Sequence, residues 1–160
     1  MRWMLFFLQM SPLLFVGVVF CGCSTAPSGP EKFPVQGSVQ INGSPAVQVA
    51  VTLHHTDPAV QGNLKFPTGV TGADGRFELS CEGDRDGAIA GEYRVSLAWM
   101  SSPELDAFDM LQSAYSDPAK TGIVARVPAA DGELPPFVLT VSEEKIRRPG
   151  DAQKVTPLIQ

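Results

Sequence analysis

From Gly91 to Trp99 the chain reads Gly-Glu-Tyr-Arg-Val-Ser-Leu-Ala-Trp, with Tyr93, Val95, Leu97 and Trp99 at every second position. Successive side chains of an extended chain point to opposite faces, so this segment buries one apolar face only as a β-strand. The same period of two recurs in Val35, Val39 and Ile41, where Gly37 marks a bulge or a close approach. It recurs in Val47, Val49, Val51 and Leu53, and again in Phe77 and Leu79. A short run at Thr68 to Thr71 and two late runs, Ile123 to Val127 and Phe137 to Val141, complete the set. Turn signals separate the runs: Asn42-Gly43, Asp74-Gly75, Asp131-Gly132 and Pro135-Pro136. With 15 Gly and 14 Pro in 160 residues, short strands are favoured over long helices. About seven strands at this spacing predict an all-β sandwich. One segment breaks the pattern. Ser101 and Glu104 have capping-box spacing, Pro103 suits an early helical position, and Leu105, Phe108, Leu111 and Tyr115 recur at helical steps. These predict one short helix, or a partly helical loop, over 101–115.

The N-terminus belongs to a different class. Arg2 precedes an apolar run from Trp3 to Phe20, broken only by Gln9, Ser11 and Pro12, and then comes Phe20-Cys21-Gly22-Cys23-Ser24. A charged start, an apolar centre and a small residue before a cut read as a secretory signal. A membrane-spanning helix is the competing reading, but the run is near the lower length limit and Pro12 interrupts it. Phe20-Cys21-Gly22-Cys23 resembles the bacterial lipobox, with Phe20 where leucine is usual. That resemblance implies a signal peptide over 1–22 and Cys23 as the lipidated first residue of the mature chain. Residues 23–32 then form a flexible tether, 33–142 the sandwich and 143–160 a polar tail expected to fray. Ser24, rather than Asp, follows Cys23, which points to the outer rather than the inner membrane.

Charge and composition narrow the function classes. The formal net charge is −5, and no basic patch offers itself to phosphates, so nucleic-acid binding is not expected. With Cys21 leaving and Cys23 lipidated, Cys81 stands alone, without a disulfide partner or a zinc set. Asp74, Asp84 and Asp86 sit beside glycines and are the candidates for a weak calcium site, yet neither acidic loop carries the ligand series of an EF-hand. His54 and His55 are the only histidines, and adjacent strand residues face opposite sides, which opposes chelation of one metal. No Gly-x-Ser-x-Gly occurs, and Glu143-Glu144 lies near the tail rather than in an expected cleft. Trp99, Tyr93, Phe77 and Phe108 are assigned to the core rather than to a sugar-binding groove.

The order Phe33-Pro-Val-Gln-Gly-Ser-Val, Thr71-Gly-Ala-Asp-Gly-Arg-Phe77 and Gly91-Glu-Tyr-Arg-Val95 resembles the carboxypeptidase regulatory-like, or transthyretin-like, domain of bacterial lipoproteins. Tyr115 to Ile123 and Glu133 to Val141 share in the likeness. Ala73 stands where that family commonly has Asp. The resemblance implies a prealbumin-like sandwich without the zinc site of the carboxypeptidases. The expectation is a non-catalytic, lipid-anchored envelope protein with no cofactor, held to a membrane through Cys23 and binding an envelope protein or a glycan. The alternative is a carbohydrate- or calcium-dependent binding module at the cell surface. Hydroxyisourate hydrolases share the fold, but the C-terminal residues Thr156 to Gln160 do not match their terminal tetrapeptide.

Overall fold

A computed structural model of the protein describes residues 29–151. In chain order its strands are β1 (Lys32–Phe33), β2 (Gln36–Ile41), β3 (Ser44–Pro45), β4 (Val49–His55), β5 (Thr68–Val70), β6 (Arg76–Glu78), β7 (Ala88–Ile89), β8 (Gly91–Trp99), β9 (Val124–Val127) and β10 (Phe137–Leu139). Three short 3-10 turns accompany them, and the described residues contain no α-helix. The fold is all-β. Seven of the strands coincide with the alternating runs. The other three, β1, β3 and β7, are two-residue pieces that no period can announce.

Two four-stranded sheets face each other. In the first, β2 is central. It pairs in parallel with β10, Val39 opposite Phe137, and antiparallel with β3 and β6. In the second, the order is β5-β4-β8-β9 and every pair is antiparallel. The alternation decides which residues meet between the layers. Val39 and Ile41 of β2, Phe77 of β6 and Phe137 and Leu139 of β10 oppose Val49, Val51 and Leu53 of β4 and Tyr93, Val95 and Leu97 of β8. All are buried, so each sheet spends its apolar face on the other. Phe77 and Phe137 stack with centroids 5.9 Å apart. Gly37 serves close packing rather than a bulge, since a Cβ there would lie 2.6 Å from the Phe77 ring.

Asn42 and Gly43, at φ 52° and 80°, close the β2–β3 hairpin as their sequence predicts. Asn42 does more. Its side chain donates to Val141 O and accepts from Val141 N, both at 2.8 Å, and so prolongs the parallel pairing beyond Leu139. The strand expected from Val47 starts two residues later, because Gln48 takes a left-handed φ of 63° and turns Val47 outward.

The short helix predicted over 101–115 is not formed. Asp109 is the reason. Its Oδ1 accepts the backbone N–H groups of Trp99 and Leu111, and Oδ2 accepts that of Ser113. A carboxylate that gathers local amides offers the backbone an alternative to the i to i−4 ladder. The Ser101 hydroxyl accepts from Phe108 N rather than capping a first turn, and Leu105 points fully into solvent.

The frayed tail expected from residue 143 is also not what is seen up to residue 151. Glu143–Lys145 form a 3-10 turn, Ile146 is buried, Arg147 N donates to Met110 O, and the Arg147 guanidinium lies 4.2 Å from the Phe108 ring centre. One apolar residue among charged neighbours is enough to dock the segment.

Candidate functional site

The corner at Thr71 to Gly75 is where the chain crosses from β5 in the second sheet to β6 in the first. Asp74 Oδ1 accepts the N–H of Arg76, an Asx turn, and Gly75 sits at φ 75°. No side chain fits at Gly75, whose Cβ would lie 2.9 Å from Val39 O. Thr71 is buried and holds the two layers together. Its Oγ1 donates to Ala46 O at 2.6 Å and accepts from Val49 N at 2.9 Å. The acidic glycine motif is thus a connector whose polar groups serve the backbone.

The second acidic loop, Glu82 to Gly87, is built around Asp86. Oδ1 accepts Cys81 N, and Oδ2 accepts Glu82 N, Gly83 N and Lys32 Nζ, the last at 2.7 Å. Lys32 also meets Glu82 at 2.7 Å. Partial burial raises the Asp86 pKa. The Lys32 ammonium and the three amides outweigh that and hold the carboxyl well below its usual range. The same pair raises Lys32, Asp86 first and Glu82 second. The Cys81 thiol is pushed up, by burial first and the Asp86 charge next. That direction is opposite to the one a nucleophilic thiol needs.

The three candidate carboxylates do not converge. Asp74 and Asp84 line one cleft, where β5 and β6 meet at the seam of the sheets, while Asp86 is committed to its own loop. Among the described residues, no three of His, Cys, Asp and Glu come together at metal-binding distance. The seam cleft encloses about 520 Å³ and also presents Gln36, Ser80, Arg76 and Arg85. Arg76 pairs with Glu133 at 2.9 Å and Arg85 with Glu78 at 3.0 Å. Gly69 keeps the seam closed, because a Cβ there would lie 2.5 Å from Glu78 O.

The histidines part as the strand period predicts. His54 faces outward, with Nε2 2.8 Å from Ser96 Oγ and its ring edge-on to Phe66. Burial lowers its pKa. His55 is buried against Tyr93, with Nδ1 accepting Asp57 N and Nε2 facing Ala90 O. Those partners fix the neutral tautomer with its proton on Nε2. Tyr93 and Phe77 are core residues. The Tyr93 hydroxyl donates to Ile89 O, and burial pushes its pKa up to about 12. Trp99 is half-buried, and its indole N–H donates to Val47 O. Phe108 is half-buried beneath Arg147. Cys23, the segment 1–22 expected to be a signal peptide, and residues 152–160 lie outside the described residues.

Sequence reasoning missed Thr71, Asp109, Asn42 as a lock and Lys32 as a clamp. Asp109 carried a readable signal, a carboxylate two residues before Leu111 and four before Ser113, at Asx spacing. Lys32 carried none, since its partners lie some fifty residues downstream.

No protein-family profile and no curated protein matches the chain. One solved structure is similar over 82% of this chain, a 9R-lipoxygenase from Cyanothece, at 13% identity and a TM-score of 0.36. The match spans 21% of that enzyme's length, and a likeness at this level bears on neither fold nor activity.

Proposed function

We propose that the protein is a lipid-anchored envelope protein whose transthyretin-like sandwich is a non-catalytic binding or scaffolding module. The observation that carries this reading is the use of the candidate polar groups. Asp74, Asp86, His55 and Thr71 each commit hydrogen bonds to backbone groups, and Asp86 is further engaged by the Lys32 ammonium. Groups committed in this way stabilise connectors; they are not poised toward a substrate. The lipobox-like Phe20-Cys21-Gly22-Cys23 supplies the anchor, and β1 begins at Lys32, a short distance downstream. Partner contact falls to the sheet edges. β5, β9 and β10 are edge strands, and Val70, Val124 and Val138 on them are exposed. Exposed edges pair readily with an added strand. The anchor is tested by Cys23→Ala and by globomycin, each of which should abolish the mass gain of lipidation. An unchanged processed mass refutes it. The module is tested by photo-crosslinkers at positions 124 and 138 in intact envelopes. Reproducible adducts to one protein are expected at an edge and absent at the buried corner of Thr71.

A second reading is favoured by the seam cleft alone. Its mixed lining of carboxylates, guanidinium groups, amide and hydroxyl suits a polyhydroxylated ligand such as a glycan. Arg76 and Arg85 beside Asp74 and Asp84 oppose a bare cation there. A glycan array on which the protein binds, with binding lost in Asp84→Ala and Arg85→Ala, would establish it; a silent array would retire it.

A further inference from the structure

The geometry points to a phosphate-binding cleft between the 111–121 loop and the 140–145 segment. This site is separate from the seam cleft and from the anchor, and it depends on neither. The cleft encloses about 410 Å³. Lys120 and Lys145 line it, and no Asp or Glu does. That sets it apart in a chain with 17 acidic against 12 basic residues. The seam cleft, by contrast, holds Asp74, Glu78 and Asp84.

The backbone makes this cleft rich in donors. Asn42 prolongs the pairing beyond β10: Leu139 O accepts its N–H, and its side chain takes both Val141 N and Val141 O. Alternate residues of an extended chain turn their backbone groups to opposite edges. The amides of Thr140 and Ser142 therefore face the open edge, away from β2, and neither has a hydrogen-bond partner among the described residues. Thr140, Ser142 and Tyr115 also bring hydroxyls to the lining. The carboxylates nearest in sequence are held elsewhere. Glu143 is bonded by Arg148 and Asn42, and Glu144 does not line the cleft. Asp117 accepts Ala119 N and pairs with Lys120 at 2.9 Å. That pair is exposed and so weakly held, which leaves Lys120 able to turn to a ligand. Lys145 makes no ion pair among the described residues.

A phosphate monoester matches these donors. It is ionised near neutral pH and offers three strong acceptor oxygens. Ammonium groups, hydroxyls and open amides all donate to such oxygens, and the charged bonds are the strong ones. A metal cation would meet two ammonium groups and no carboxylate. Two ammonium groups are too few for a nucleic-acid backbone, so the site suits a small anion. Leu111, Ala114 and Val141 give the cleft an apolar wall for the body that carries the phosphate. That chemistry is shared by a free polyol phosphate and by the headgroup of a phospholipid.

The test is calorimetric titration of the full-length protein at constant ionic strength. The probes are glycerol phosphate, dihexanoyl phosphatidic acid and, as the neutral control, glycerol. Glycerol phosphate should bind and glycerol should not. Lys145→Met should weaken binding at least about tenfold, in the range of a charged hydrogen bond, and Lys145→Arg should keep most of it. Lys145 is exposed, so neither change removes a core contact, and thermal melts confirm the fold of each variant. Asp117→Asn keeps the oxygen that accepts Ala119 N but releases Lys120, and it should tighten binding about two- to threefold. Tighter binding of the phosphatidic acid than of glycerol phosphate identifies a lipid headgroup as the source, and equal or weaker binding identifies a free phosphate. If Lys145 only guards the open edge of β10 against strand addition, Lys145→Met aggregates while its titration matches wild type, and the proposal falls. Equal heats from glycerol and glycerol phosphate, or no heat from either phosphate probe, overturn it as well.

Discussion

Replacing Thr71 by valine tests how the two sheets are joined. Thr71→Val keeps the shape and removes one hydroxyl. That hydroxyl serves Val49 N and Ala46 O, both buried, at 2.9 and 2.6 Å. No alternative partner for either group is present at this corner. A buried polar group left without a partner costs about 1–3 kcal/mol. Two such groups predict a loss of about 2–6 kcal/mol, a large part of the roughly 5–15 kcal/mol typical of a domain. For a domain of this size the melting temperature should fall by about 8–24 °C. Thr71→Ser keeps both bonds and loses one methyl group, about 0.8 kcal/mol. The assay is urea unfolding followed by Trp99 fluorescence, with thermal melts in parallel. A valine variant within about 0.5 kcal/mol of wild type, or no worse than the serine variant, would refute the claim that Thr71 is the inter-sheet lock.

Gly91→Ala should destabilise by about 1–3 kcal/mol, because a Cβ at Gly91 overlaps the His55 ring; His55→Ala in the same background should relieve much of that loss, and additive melts would refute the clash. Asp86 has a depressed folded pKa, so its stabilisation is present above the unfolded value of about 4 and is lost as pH falls below it. Lys32, with a raised pKa, keeps its contribution below about pH 10.4 and loses it only at higher pH. Urea midpoints should therefore fall more steeply below pH 4 in wild type than in Asp86→Asn, and parallel curves would disprove the assignment. Ile146→Ala should cost about 2–4 kcal/mol and expose residues 143–151 to proteolysis; unchanged protease resistance would show that this residue does not dock the segment.

Much of this fold is legible in the chain because alternation reports burial directly. Tyr93, Val95 and Leu97 were assigned to the core by period alone, and each is buried. Asn42-Gly43 and Asp74-Gly75 announced their turns through residues that tolerate positive φ. The failures have physical causes of another kind. Leu105, Phe108 and Leu111 carry a helical period, but three amides are claimed by Asp109, and hydrogen bonding overrode the apolar pattern. Ile146 is a single apolar residue in a charged stretch, too little for any period, yet it docks. The candidate site reads less well. Asp74 and Asp84 are brought to one cleft and Asp86 is drawn away by Lys32, a separation set by pairing across the chain that no local spacing encodes.

The parallel pairing of β2 with β10 fixes when the molecule can finish folding. The central strand of the first sheet finds its parallel neighbour far downstream in the sequence, and Asn42 meets Val141 across 99 positions. Contacts that distant in sequence make for slow closure, in the millisecond-to-second range. A chain truncated before Phe137 should refold its second sheet without cooperative melting, and a sharp two-state melt from such a fragment would contradict this. Until β10 arrives, the early hairpin has half a sheet and an uncovered apolar face, so the first sheet closes only once a strand about a hundred residues downstream is in place.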